Sequence, residues 1–234
     1  MGGGAIILMT VEQSVPSTPK PPRRRAPRQE RAQATRAAIV LAAATVFAER
    51  GYARTTLDGV AVEAGVTKGA LYFHFASKHD LANAVIAEET RVMTEGADRI
   101  LRLEVSSLET LILLIRAFTE RIVADVVVAA GVKLTTEELV ARLDIDEPYE
   151  TWGALYADLF GKAIAEGDVV AAYSPDALSR FLISLFTGVQ LVSNSLTQRA
   201  DAADRVAEMW QIFLPGIVRP ERLAAVVALR ALQR

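Results

Sequence analysis

Residues 64–75 read AGVTKGALYFHF and hold two glycines, a Thr-Lys pair, three aromatic rings and one of the chain's two histidines. Three chemistries use such residues. A glycine-rich loop with a lysine can cradle phosphate, paired histidines can bind metal or move protons, and a glycine turn between short helices can present a lysine to DNA. The phosphate loop needs a strand followed by G-x-x-x-x-G-K-[ST]. Here Gly65 and Gly69 are four apart, no Gly-Lys-Ser/Thr follows and no strand pattern precedes. His74 and His79 are five apart across an expected helix break, so helical i, i+4 geometry does not join them. Neither lies in an H-E-x-x-H pattern, and a surface or phosphate-facing histidine is the plainer reading. No catalytic residue, metal site or cofactor is expected.

The turn accounts for more of the stretch. Leu57, Val60, Ala61 and Ala64 recur at i, i+3, i+4 and i+7, which gives a short helix one buried face. Thr56 can cap that helix and Thr67 the next. Gly65 suits the left-handed residue that ends the first, and Val66 can plug the turn. Two short helices joined in this way form a helix-turn-helix, whose second helix enters the major groove by its N-terminal residues. Lys68 can donate to guanine or phosphate, and Gly69 lets the backbone approach closely. Tyr72 and His74 can donate to phosphates. Phe73 and Phe75 are expected in the core.

These helices need a scaffold. Ile39, Ala42, Ala43, Val46 and Phe47 recur at helical spacing ahead of them, with Gly51 as the closing residue. Ser77, three residues before Asp80, resembles a capping box for a fourth helix carrying Leu81, Val85 and Ile86. Beyond residue 100 every signal is helical. SSLETLILLIRAFTERIVADVVVAAGV reads as one helix, EPYETWGALYADLFGKAIAEGDV stops at Gly167, SPDALSRFLISLFTGVQLVSNSLTQR opens with Pro175, and ADAADRVAEMWQIFLPGIV ends at Pro215–Gly216. No hairpin turn or 20–50-residue repeat is present.

Composition agrees. The 234 residues are 51% hydrophobic, enough for a sizeable core. The absence of Cys excludes disulfides and thiol chemistry and fits the cytoplasm. No membrane partner is expected, because Phe181–Leu196 is interrupted by Ser184, Thr187, Gln190, Ser193 and Asn194. MGGGAIILMT lacks the basic start of a signal peptide, and Ile6 breaks the myristoylation pattern. The net charge is −2, but it is unevenly spread: residues 1–80 carry 11 Lys and Arg against 6 Asp and Glu, and residues 81–234 carry 15 against 22. A small basic module facing an anionic partner and a larger acidic body follow from that split.

Residues 35–86 carry F-x-x-x-G-Y, T-T-L, A-G-V-T-K-G-A-L-Y-F-H-F and S-K-x-x-L in order. This stretch resembles the DNA-binding domain of the tetracycline-repressor (TetR) family. V-T-K-G-A-L-Y-F-H-F, AGVKL at 130–134, the Pro148-Tyr149…Trp152 element and TGVQLVS at 187–193 are similar to the γ-butyrolactone autoregulator receptors of actinobacteria. The family resemblance implies a two-domain, all-helical, dimeric regulator. The narrower one implies that Trp152 lines a signal pocket.

The expected architecture is therefore all-α. A disordered basic, Pro-rich arm (1–28) precedes a three-helix helix-turn-helix DNA-binding domain (29–76) and a helical ligand-binding and dimerisation domain (77–234). Thr56, Thr67, Lys68, Gly69, Tyr72, His74 and Lys78 are expected at the DNA. Trp152, Phe118, Tyr149, Leu185, Thr187, Val189 and Gln190 are expected at the ligand, although ordinary core packing explains all but Trp152 as well. With no evident buried charge, the pocket suits an uncharged ligand. Phe181, Leu182, Leu185, Val189, Val192 and Leu196, followed by Met209, Trp210 and Phe213, form a candidate two-fold contact. The expected partners are a palindromic double-stranded operator, a small diffusible signal and a second copy of the chain. A regulator that ignores such signals or answers to a partner protein is the alternative, and an open cavity beside Trp152 argues against it.

Overall fold

Thr56, Thr67, Ser77, Ser106 and Ser174 each stand one residue ahead of a helix, and each hydroxyl accepts a hydrogen bond from the backbone N–H three residues on. Such caps satisfy donors that no carbonyl inside the helix can reach. They fix the starts of half the helices in the computed structural model, which describes residues 27–136 and 147–228. All but two residues of the expected basic arm lie outside the described residues, as does the end of the chain from 229.

The described elements are α1 (Pro27–Arg54), α2 (Leu57–Glu63), α3 (Lys68–His74), α4 (Lys78–Ile100), α5 (Ser107–Ala124), α6 (Val126–Thr136), α7 (Glu147–Glu166), α8 (Pro175–Thr197), α9 (Ala202–Ile217) and α10 (Pro220–Val227). Among the described residues the one extended pairing is an isolated bridge between Val169 and Val218. The chain is all-α, as expected. Gly51 breaks α1 with φ 73° and ψ 169°, and Gly65 ends the turn after α2 at φ +63°. Both values lie where a side chain is strained.

Two expectations about helix ends are corrected. The run from Ser106 to Val132 is not one helix: Asp125 adopts extended backbone (φ −120°, ψ 114°) and its carboxylate accepts from the Val127 N–H at 2.9 Å. An aspartate that caps a new helix divides the apolar run into α5 and α6. Conversely, α9 continues through Pro215 to Ile217. The proline sits in its last turn with its ring exposed, so only one solvent-facing hydrogen bond is lost.

Buried residues form two main clusters. The N-terminal one joins Ile39, Ala43 and Phe47 of α1 to Val60, Leu71 and Phe75, to Leu81, Val85 and Ile86 of α4, and to Val127, Ala130 and Leu134 of α6. The second holds α5, α7, α8, α9 and the end of α4 together around Leu111, Ile115, Phe160, Leu182 and Trp210. Helix α4 enters both, and α6 reaches the second half through Val128, which packs with Met93 of α4 and Ile122 of α5. The candidate two-fold contact divides: Leu182, Met209, Trp210 and Phe213 are buried inside the chain, and Leu185 and Val189 pack partly buried against that core. Phe181 and Val192 are exposed, with Leu196 at 70% and Ile212 at 80%. At 100° per residue the inward and outward stripes of an amphipathic helix are only two positions apart, and here the outer stripe is apolar too.

Candidate nucleic-acid interface and ligand cavity

Helix α3 is positioned by its inner face. Leu71 and Phe75, one turn apart, are buried among α1, α2 and α4. The turn is closed by Val66 N–H donating to Ala61 O at 3.0 Å, and Thr67 accepts from Ala70 N–H at 3.2 Å. What remains outside is Lys68, Gly69, Tyr72 and Phe73. Phe73 is 80% exposed rather than in the core, with its ring edge-on to His74 at 5.1 Å. Leu71 and Phe75 occupy the buried phase, which leaves position 73 on the far side of the helix. Gly69 has open space where a side chain would stand and no positive φ.

The Lys68 ammonium pairs with the Asp58 carboxylate, and that hydrogen bond and charge raise its pKa above the ordinary lysine value. Tyr72, Thr56 and Lys78 meet along one shallow groove with Asp58. Thr56 caps α2 through Gly59 N–H at 3.1 Å. Lys78 turns inward: its ammonium donates to Tyr52 O at 2.9 Å and Thr55 O at 3.0 Å and lies 4.3 Å from the centre of the Tyr52 ring. It fastens the start of α4 to the end of α1. Of the seven expected residues, Thr56, Tyr72 and Lys78 line that groove, Thr67, Lys68 and Gly69 are exposed at the start of α3, and His74 is half-buried at its end.

Between α4, α5, α6, α7 and α8 lies a cavity of about 500 Å³. Its apolar walls include Met93, Phe118, Trp152 and Phe186, with the Phe118 and Phe186 rings 5.3 Å apart. Of the seven expected ligand residues, Trp152, Phe118, Tyr149, Thr187 and Gln190 line it. Leu185 and Val189 are not in the wall. The inward phase of α8 runs through Ile183, Phe186, Thr187, Gln190 and Asn194, and they lie beside it.

Sequence reasoning missed two groups, and with them the premise of a wall without buried charge. Glu89 lines the cavity at 6% exposure, and burial pushes its carboxyl up to about 7. Its place on the stripe Val85, Ile86, Glu89, Met93 was the available signal. Arg199, just past the left-handed end of α8, lines the rim half-buried, and desolvation lowers its pKa. The Gln190 amide is 4% exposed, and neither its nitrogen nor its oxygen has a hydrogen-bond partner among the described residues. A buried amide without partners is costly, roughly 1–3 kcal/mol per group, unless something else enters the cavity. Helix α6 connects the two sites. Val132 and Lys133 line the cavity, while the Lys133 ammonium donates to Ala48 O of α1 at 2.7 Å.

Comparison with known proteins gives the same picture. Residues 39–85 match the family described as bacterial regulatory proteins, tetR family, and residues 105–219 match the tetracyclin repressor-like C-terminal domain. The A-factor receptor protein of Streptomyces griseus is 34% identical over 199 residues, 85% of this chain and 69% of the relative. CprB of Streptomyces coelicolor, solved in complex with its biological operator sequence, is 36% identical with a TM-score of 0.74, covering 86% of this chain and 96% of that one. A γ-butyrolactone receptor described as ArpA-like is 34% identical with a TM-score of 0.73, over 86% of this chain and 98% of that one. With helix-turn-helix and cavity-bearing body both matched over most of its length, the chain belongs to the TetR family of transcriptional regulators.

Proposed function

We propose that this regulator is a homodimeric repressor that binds a palindromic operator and is released by a small, γ-butyrolactone-, butenolide- or furan-type signal, in the control of secondary metabolism. The proposed division is a DNA-binding module over 29–76 and a ligand-binding and dimerisation body over 77–234. The observation that carries the reading is the sharing of α4 and α6 between the helix-turn-helix core and a cavity beside Trp152. An open cavity there favours a small-molecule signal over control by a partner protein. Lys68, Gly69 and Tyr72 serve as the DNA-facing residues, with Thr56, Thr67, His74 and Lys78 supporting them. Trp152, Phe118, Tyr149, Thr187 and Gln190 serve the ligand. Phe181, Val192, Leu196 and Ile212 offer the two-fold surface that a palindromic site requires.

The mechanism is a population shift. The free dimer holds its two α3 helices at groove spacing. The signal binds better to a state in which α4 is displaced, and operator affinity falls by the coupling free energy, about 1–3 kcal/mol. The test is fluorescence anisotropy on the palindromic DNA upstream of the protein's own gene, at several salt concentrations, with and without an organic extract of the producing culture. Tight binding abolished by the extract is expected. Tight binding indifferent to every extract would overturn the signal response and leave a regulator of another kind.

A further inference from the structure

Neither operator binding nor an apolar cavity requires an acid at position 89. Two acids stand out as buried among the described residues, Asp168 and Glu89. Asp168 is paired with Arg222 at 2.8 Å. Glu89 has one hydrogen bond, from the Thr90 hydroxyl at 3.3 Å, and no cation beside it among the described residues. The fold makes room for this side chain: a Cβ at Gly131 on α6 would come within 2.6 Å of the Glu89 Cβ and Cγ. Of the other charged groups of the wall, Arg99, Glu120 and Arg121 are exposed and Lys133 donates to Ala48 O, while Arg199, half-buried past the end of α8, keeps a buried Nε without a hydrogen-bond partner among the described residues. The Tyr149 hydroxyl of α7 has its pKa raised by burial and, to a lesser degree, by the Glu89 charge. On α8 the orphaned Gln190 amide lines the same cavity, with one donor group and one acceptor unused.

We propose that Glu89 selects the effector: together with the Gln190 amide it forms a two-point polar anchor that accepts an uncharged head group bearing a hydroxyl or carbonyl and rejects a carboxylate. The inference rests on reading the cavity as the effector site. A carboxyl that burial keeps protonated up to about pH 7 offers a donor to a carbonyl and an acceptor to a hydroxyl, and the amide offers the same pair. A ligand carboxylate must either keep Glu89 protonated or stand beside a second negative charge in a site that already disfavours one, and once both acids are ionised neither can donate to the other. The apolar walls take the remainder of the molecule.

A γ-butyrolactone with a hydroxyl and an alkyl chain differs from its ring-opened hydroxy acid by one water, so the two separate charge from shape. Their affinities, with that of an alkylamine of matching chain length, are read by displacement of the neutral dye 1-aminoanthracene from the full-length protein at neutral pH. The lactone is expected to bind at least about tenfold more tightly than the carboxylate or the amine. In Glu89→Gln the gap between lactone and carboxylate is expected to close to within about threefold, and in Gln190→Leu the lactone itself weakens. Carboxylate binding equal to that of the lactone, an amine that binds most tightly, an unchanged ratio in Glu89→Gln, or a dye that finds no site would each overturn the proposal. Should Glu89→Gln fail to fold, the wild-type ratio across neutral pH serves instead. The carboxylate must weaken relative to the lactone as pH rises and Glu89 ionises, and a flat ratio would sink the idea. If the lactone binds with this selectivity yet leaves the operator complex intact, the selecting role stands and the effector reading fails.

Discussion

The Lys68 ammonium lies 2.5 Å from the Asp58 carboxylate, ten residues earlier, and so ties the first turn of α3 to the first turn of α2. Both side chains are more than half exposed, so water screens the pair and its contribution to folding is small. On the proposed reading of α3, the pair bears on DNA binding instead: Lys68 is already paired, and an incoming phosphate would compete with Asp58. Asp58→Asn is expected to raise operator affinity a few-fold, and Lys68→Ala to lower it and reduce the slope of log affinity against log salt by about one. Anisotropy titrations at several salt concentrations decide the matter. An unchanged slope in Lys68→Ala places the lysine away from the phosphates.

Trp152 stands in the cavity wall with its ring 6.1 Å from that of Tyr156. Trp152→Ala is expected to lose release by the signal while the operator complex still forms, because position 152 touches the cavity and not α1, α2 or α3. Loss of operator binding in the variant, with its helicity intact by circular dichroism, would sink the assignment.

Gly131 admits α6 against α4 at the Glu89 side chain. Gly131→Ala puts a methyl carbon 2.6 Å from carbons at the root of that side chain, which cannot swing away as a flexible tip could. Destabilisation of about 1–3 kcal/mol is expected from overpacking, against the small gain alanine normally brings to a helix. Denaturant midpoints at fixed protomer concentration measure it, and an equal or higher midpoint refutes the crossing.

Glu89 carries a pKa of about 7 in the folded chain against an ordinary 4.5. The folded state therefore holds a proton that the unfolded state has released between those values. Stability is expected to fall as pH rises from about 4.5 to 7, by roughly 3 kcal/mol in all. Glu89→Gln should flatten this part of the profile and be the more stable protein above pH 7. A wild-type profile no steeper than that of the variant would contradict it.

Leu196 and Ile212 are the most exposed large apolar side chains of α8 and α9. Leu196→Glu with Ile212→Lys is expected to shift sedimentation from dimer to monomer and to weaken operator binding at low protein concentration. A dimer that survives both changes has its interface elsewhere.

What was legible in the sequence is what neighbours in the chain decide. Thr56, Gly65 and Thr67 act on backbone within a few residues, so the turn and its two helices could be read in order. Spacing did not supply the inner face of α8: of the stripe Phe181, Leu182, Leu185, Val189, Val192 and Leu196 only Leu182 is fully buried, because several phases of that helix are apolar and only packing chooses among them. Phe73 was misplaced for a simpler reason. Leu71 and Phe75 already fill the one inward phase of a seven-residue helix, and counting would have shown it. Lys78 could not have been foreseen in its observed role, since the carbonyls it holds are 23 and 26 residues away in the chain. Asp125 was hidden by the apolar residues around it, whose pattern runs on although the backbone does not.

Helix α4 spans 23 residues, roughly 34 Å at 1.5 Å per residue. Its first turns are embedded beside α1 and α3, its last in the body, and Glu89 sits near the middle, so the rod is a lever with the cavity close to its fulcrum. A tilt of about 10° there carries Lys78, eleven residues away, through roughly 3 Å. In a two-fold dimer the paired displacements oppose each other and double the error between the two α3 helices. A ligand need not touch the reading heads or unfold anything. On the proposed mechanism, a tilt of that size at mid-shaft would leave two intact heads out of step with a DNA whose pitch is fixed.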